Sequence, residues 1–435
     1  MLKLRHVLST GAATLVGGGL SLLLAFAVAR LLSPAENGHY AQYVLVMNMV
    51  FIGGNLGVGT ASTYYLASGQ WNLNQVRRLN LRFAASVAAG VVLTAIVLAA
   101  TPAGAHIERL FKAPMAMIYF GLVGGVALLC ANHCVAILMG VHRYDRANVV
   151  NTLRAGLAVP CVIAAGLFAR GEVPVVLAQT VAVLAALCIA VFMIPRQSTS
   201  PQIRESDHRI GQFLRYGGLA YVSNLLHFFA MRGLLLFLSF YAAPAQVGYF
   251  SLALLMLEAM LLLPSAVGQL VFPQSSSTAF NHSLIETLLR VNLYVGIVLA
   301  ALVALIATPL VALLLGNDYA PVGQALVHLA PSVVLLSVPR ILSPLLSGRG
   351  HPGYPLGAAV LSTVIGVPLA LALIPGHGIV GAAWIADVVA AVTGVVTVFG
   401  YCRVHGVRLA QVLLPRRSDL VVASWVQATP PGDRT

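Results

Sequence analysis

Apolar residues run along this chain in twelve long stretches, separated by short breaks that carry charge, glycine or proline. Each stretch holds roughly 19 to 27 residues, the length an α-helix needs to cross a bilayer. The first six predicted helices cover about 11–31, 41–66, 83–101, 116–138, 148–168 and 175–194. The second six cover about 216–240, 247–272, 287–313, 323–346, 355–374 and 379–401. The longest polar connection lies between the two sets, which divides the chain into a six-helix lobe (1–194), a linker (195–212), a second six-helix lobe (213–401) and a tail (402–435). The pattern also repeats. Pro34-Ala35-Glu36-Asn37-Gly38 joins the first helix to the second, and 210 residues later Pro244-Ala245-Gln246-Val247-Gly248 joins the seventh to the eighth. A match at equivalent places in two halves points to internal duplication, a recurring plan of membrane transporters.

The offset extends into the helices. Asn48, Asn55 and Ser62 are spaced by seven along the second helix, and Ser251, Glu258 and Ser265 by seven along the eighth. That spacing holds each set to one helix face. Shifting by 210 superposes Asn48 on Glu258 and Asn55 on Ser265. A polar stripe in hydrocarbon needs either a cavity or hydrogen-bonding neighbours, and the spacing alone leaves both open. The seventh helix carries Tyr221, Asn224, His227 and Arg232 within one arc of about 140°. An arginine at this depth costs about 2.5–3.5 kcal/mol on insertion scales. Glu258 on the neighbouring helix is expected to offset it, as a structural ion pair, as part of a substrate cavity, or both. The offset places Leu22 opposite Arg232, so the halves differ at that position. Arg340 and Asp387 have depths that permit a second pair, while Arg154 and Arg290 lie nearer the helix ends, where snorkelling is open to them.

Composition narrows the class. Hydrophobic residues make up 59% of the 435 and charged residues 9%, with mean hydropathy +0.90. So few charges cannot cover a water-soluble surface, so the chain reads as an all-α polytopic membrane protein. The formal net charge of +13 would suggest nucleic acid in a soluble domain; here it follows from topology. With a cytoplasmic amino terminus, seventeen basic residues fall in inside loops and tail and four outside (Arg30, Arg109, Lys112 and Arg170). Both termini are therefore expected inside, with the first helix uncleaved. Six spans per half make the repeats parallel, related by an axis along the membrane normal.

Other candidate chemistry is thinner. Cys130, Cys134 and His133 have a helical spacing open to metal, but no second ligand pair accompanies them, and buried cysteine packs as a small apolar residue. Gly53-Gly54-Asn55-Leu56-Gly57-Val58-Gly59 lies inside an apolar span without a preceding strand, which favours close packing or a bend over a phosphate loop. No catalytic constellation, metal or cofactor site is expected.

Several segments carry a family resemblance. Ala29-Arg30-Leu31-Leu32-Ser33-Pro34-Ala35-Glu36-Asn37-Gly38-His39-Tyr40 resembles the signature between the first two helices of the polysaccharide-synthase, or Wzx-type, lipid-linked oligosaccharide flippases. Gly140-Val141-His142-Arg143-Tyr144-Asp145-Arg146 is similar to their loop after the fourth helix. Leu314-Leu315-Gly316-Asn317-Asp318-Tyr319 and Gly378-Ile379-Val380-Gly381-Ala382-Ala383 resemble later stretches. The resemblance implies two six-helix lobes around a central cavity faced by the first two helices of each lobe. It implies movement of an undecaprenyl-diphosphate-linked oligosaccharide across a bacterial cytoplasmic membrane, without enzymatic chemistry. Membrane lipids, a polysaccharide polymerase and a chain-length regulator are the partners that would follow, with no nucleic acid. On that reading Arg232 attracts the anionic headgroup, and Asn48, Asn55, Asn224 and His227 hydrogen-bond phosphate or sugar. Arg154, Arg290 and Arg340 are secondary cationic candidates, while Glu258 or Asp387 serves ion coupling or charge pairing. Two alternatives stay open: an ion-coupled exporter of small amphiphiles, disfavoured by the lack of acidic residues in the first two helices, and a membrane-embedded glycosyltransferase or ligase, disfavoured by an outside loop of at most about fourteen residues, Thr101 to Pro114. A lipid II flippase is a further open reading, although that group resembles a fourteen-helix plan rather than twelve.

Overall fold

A computed structural model describes residues 4–195, 210–275 and 282–414. Among these every regular element is helical. The first half contains α1 (Leu4–Leu31), α2 (Pro34–Asn55), α3 (Val58–Ala67), α4 (Leu73–Ala100), α5 (Pro102–Phe111), α6 (Met115–Gly140), α7 (Tyr144–Phe168) and α8 (Glu172–Met193). The second contains α9 (Ile210–Tyr241), α10 (Pro244–Met260), α11 (Leu262–Ser275), α12 (His282–Leu315), α13 (Ala320–Ser337), α14 (Pro339–Gly348), α15 (Gly353–His405) and α16 (Leu409–Leu413). Most of the linker expected at 195–212, and the tail beyond Leu414, lie outside the described residues.

Among the described residues eight helices, or ten spans when each bent pair is counted as one, are long and apolar enough to cross a membrane; dividing α15 in two and adding α9 gives twelve. α2 and α3 form one span bent by 49°, and α10 and α11 form its counterpart bent by 47°. The bend in the first half is built by Leu56 and Gly57, both with positive φ, at the glycine-rich run. α15 is two spans folded back on each other at Gly378, whose φ of 52° and ψ of −127° only glycine adopts readily, so that Ser362 donates to the Val389 carbonyl across the hairpin. The tenth span is α13 followed by α14, with Pro339 opening the second piece.

Two stretches expected as loops are helical. Arg77, Arg78 and Arg82 sit on the opening turns of α4, because Asn72 and Gln75 form a capping box ten residues before the apolar run begins. Thr101 caps α5, which starts with proline and packs beside the end of α4. The beginning of the tail is also ordered, as α16 packs on α12.

The chain folds into two lobes with α2 against α10 between them. Cross-lobe packing uses Ala25, Ala29, Ala41 and Leu45 with Leu234, Leu238, Phe250 and Leu254. Within the first lobe, Val28, Tyr43, Met117, Val162, Val175 and Val176 form a separate core. The third span of each half, α4 and α12, carries much of the exposed apolar surface, including Leu93, Ile96, Val298 and Leu305. Those faces suit contact with lipid tails.

Candidate functional site

A cavity of about 690 Å³ lies between the lobes, lined from both halves by α1, α2, α3, α6, α9, α10, α11, α13 and α14. Its charged groups are Arg232, Glu258 and Arg340. Arg232 Nη2 donates to Glu258 Oε2 at 2.6 Å, the ion pair expected from sequence. Glu258 keeps 42% of its side-chain surface exposed, against 22% for Arg232, so the carboxylate is held by the arginine yet faces the open space. Arg340 has no hydrogen bond or ion pair among the described residues, although the Glu258 carboxylate acts on it electrostatically. Two guanidinium groups against one carboxylate leave the cavity with a net positive charge. Asn55, Thr60, Asn132, Tyr221 and Ser265 add neutral polar groups.

The first-half stripe divides among three environments. Asn55 faces the central cavity and its Oδ1 accepts from the Gly59 amide across the bend. Asn48, one turn pair earlier, lines a second cavity of about 550 Å³ inside the first lobe. Ser62 is fully buried and donates to Asn80 Oδ1 at 2.9 Å, joining α3 to α4. Both readings of the stripe thus hold, at different depths: the heptad spacing holds within α2, but the bend turns α3 towards another neighbour. In the second half Glu258 and Ser265 both line the central cavity.

Three expectations need correction. Arg340 and Asp387 do not pair. Asp387 accepts a short hydrogen bond from Ser332 on α13, inside the second lobe, while Arg340 is carried by α14 to the central cavity. The break between α13 and α14 separates them. Arg290 neither snorkels nor reaches either cavity: it is 1% exposed, donates to the Gln411 carbonyl at 2.6 Å and to Thr287 Oγ1 at 3.1 Å, and so holds α16 in place. Arg154 also stays inside, lining the first-lobe cavity. Asn224 and His227 lie on α9, but their side chains are outside the described residues.

Several lining residues carry weak sequence signals. Asn132 sits between Cys130 and Cys134 and is the polar member of that segment to reach the central cavity. Thr60 belongs to no stripe and is placed by the bend at Gly57. Asn148, Asn151 and Gln179 line the first-lobe cavity with Arg154. Lone amides inside apolar spans are the signal available for them.

Contacts cross between lobes at both ends of the central cavity. At the end carrying the α1–α2 and α9–α10 turns, the two repeated pentapeptides meet each other. A Cβ on Gly38 would overlap the Pro244 carbonyl, and one on Gly248 would crowd Pro34 and the Gly38 amide. Tyr319 donates to the Leu32 carbonyl at 2.8 Å and Lys112 to the Ala242 carbonyl at 3.0 Å at the same end. At the other end Gly57 meets Gly217 backbone to backbone. Beside them the Phe213 ring lies 5.4 Å from Tyr65 and 5.0 Å from Trp71.

The fold has solved relatives. An inward-closed structure of the lipid II flippase MurJ superposes with a TM-score of 0.71 at 13% identity, covering 98% of this chain and 94% of the other. An inward-facing multidrug resistance MATE family transporter of the MOP superfamily gives 0.67 at 19%, covering 89% and 95%. The MATE multidrug transporter DinF-BH gives 0.67 at 16%, covering 95% and 98%. No curated protein sequence matches. The family of polysaccharide biosynthesis proteins matches residues 27–324, most of the chain. Spanning helices, two lobes and a positively charged cavity thus come with a family match over most of the sequence: the chain belongs to the polysaccharide biosynthesis protein family and has the fold of the membrane flippases and multidrug exporters of the MOP superfamily.

Proposed function

We propose that the protein moves an undecaprenyl-diphosphate-linked oligosaccharide from the cytoplasmic to the outer leaflet of a bacterial cytoplasmic membrane, to supply surface polysaccharide synthesis. The excess of basic residues in one set of loops supports cytoplasmic amino and carboxyl termini. The observation that carries the reading is the net-positive cavity between the lobes, in a chain of the polysaccharide biosynthesis family. A diphosphate out of water needs charge-assisted donors, and guanidinium groups bind phosphate oxygens in pairs.

Glu258 then has two tasks. In the empty cavity it offsets Arg232, which would otherwise stand in hydrocarbon at a cost of about 2.5–3.5 kcal/mol. When a diphosphate enters, Arg232 exchanges the carboxylate for phosphate, and Arg340 supplies a second cation. Asn55 and Asn132, with Asn224 and His227 on α9, are the proposed hydrogen-bonding partners of phosphate or sugar. The lipid tail stays in the bilayer. Opening the contacts at Gly57–Gly217 and at Gly38–Gly248 in turn exposes the cavity to each side. A polysaccharide polymerase and a chain-length regulator are the partners that this activity serves.

The test is polymer output in a deletion strain of the host complemented with wild type, Arg232→Lys or Arg232→Ala, each normalised to protein in the membrane. Output is expected to fall in that order, with Arg232→Ala at least tenfold below wild type. Equal output from all three removes Arg232 from the site. Normal output alongside lost efflux of a cationic dye would favour export of small amphiphiles instead.

A further inference from the structure

The first-lobe cavity is a separate space with its own chemistry. It is lined by α1, α2, α6, α7 and α8, and among the described residues only Thr14 is shared with the cavity between the lobes. Among the described residues Arg154 is its one charged lining residue. No carboxylate lines the space, and Arg154 has no hydrogen bond or ion pair among the described residues. A guanidinium facing a cavity within a bundle, without a counter-charge from the protein, is costly unless something else supplies that charge.

The rest of the lining is suited to a small anion. Asn48, Asn148, Asn151 and Gln179 surround the same space as Arg154, Asn48 giving one amide hydrogen to the Val44 carbonyl, while Ser21 beside them donates its hydroxyl to the Gly17 carbonyl. Tyr40 donates to Gln179 Oε1 at 2.8 Å, which orients the amide so that its NH2 remains available to an acceptor. Asn151 and Arg154 are three apart on α7 and therefore share a face. One positive charge among neutral amides balances one negative charge. Net charge is the same in both cavities among the described residues, but a diphosphate needs several charge-assisted donors, and the central cavity offers two guanidinium groups where this one offers a single Arg154.

We infer that the first lobe binds a small monovalent anion, such as chloride, at Arg154, in a site distinct from the substrate cavity. The anion supplies the counter-charge that the protein omits here and supplies through Glu258 at Arg232. Occupancy also has a route to the interface between the lobes. Gly17 and Gly18 of α1 line the anion cavity, and Gly18 sits against the Leu262 side chain of α11 in the other lobe. Filling the space braces α1, the helix that stands between the two cavities. The inference holds whatever the central cavity carries.

The experiment is thermal unfolding of the full chain purified in detergent, with chloride titrated against gluconate at constant ionic strength. Wild type is expected to gain about 2–5 °C in Tm, saturating with chloride concentration. Arg232→Gln should keep that gain. Arg154→Gln should lose it. Because Arg154→Gln removes a large side chain, Asn151→Asp provides a second measurement: it places a carboxylate beside Arg154, so chloride dependence should vanish while Tm in gluconate rises. A flat wild-type titration, or an undiminished chloride gain in both Arg154→Gln and Asn151→Asp, overturns the inference. So does stabilisation by pyrophosphate but not chloride that depends on Arg154, which would assign the cavity to a diphosphate headgroup.

Discussion

Replacing Glu258 by glutamine keeps the side-chain shape and removes the carboxylate that holds Arg232 at 2.6 Å. Loss of one partner from a fully buried pair costs about 3–5 kcal/mol, whereas exposed pairs are worth about 0.2–1 kcal/mol. Glu258 is 42% and Arg232 22% exposed, so the cost lies between these limits, at about 1–2 kcal/mol. Arg340 adds to the penalty, because the cavity then holds two arginines and no acid. For a unit the size of one lobe this corresponds to a fall in Tm of about 2–8 °C. The assay is thermal unfolding of the purified protein beside polymer output in the complemented strain. Arg232→Gln combined with Glu258→Gln removes both charges, and is expected to regain most of the lost stability while output stays lost. If the single variant melts like wild type and supports full output, the pair neither stabilises the protein nor takes part in transport. Full output from the double variant would equally sink the exchange of carboxylate for phosphate.

Gly38→Leu drives a side chain into the Pro244 backbone. It should spread the lobes at that end, read as faster thiol labelling of a cysteine introduced at Ser265; unchanged labelling would show that this contact is no barrier. Arg290→Ala removes the buried anchor of α16, at about 2–4 kcal/mol, and should speed proteolysis of the carboxyl-terminal segment several-fold. Equal proteolysis would mean that α16 is held by its apolar contacts alone. Gly378→Ala forces a side chain into a glycine-favoured conformation and pushes it towards Gln246 of α10, costing about 1–3 kcal/mol, measured as a lower Tm.

The Arg232–Glu258 pair was legible because two independent readings met there: an arginine too deep for water and an acid at matching depth on the next helix. The pentapeptide repeat was legible as duplication, but not as a contact. Its two copies pack on each other because related lobes bring equivalent helices to a shared axis, and glycine at Gly38 and Gly248 lets those backbones close. Arg340 and Asp387 had compatible depths and still failed to meet. Depth follows from counting residues along a helix, whereas the direction a side chain faces depends on bends such as the one between α13 and α14. For the same reason, residues at heptad spacing along the second span reached the lobe interior, the central cavity and a buried hydrogen bond.

What the sequence determined by itself was the all-helical class, the doubling and the membrane setting, since each depends on length, period and the scarcity of charge. Tertiary structure decided which of the polar residues share a space. It put Arg232, Glu258 and Arg340 around one cavity, kept Arg154 apart in another and turned Arg290 into an anchor. The physical reason is that length, period and scarcity of charge are properties of the chain itself, while the neighbours each polar group meets are set by helix bends and small-residue contacts that bring distant segments together.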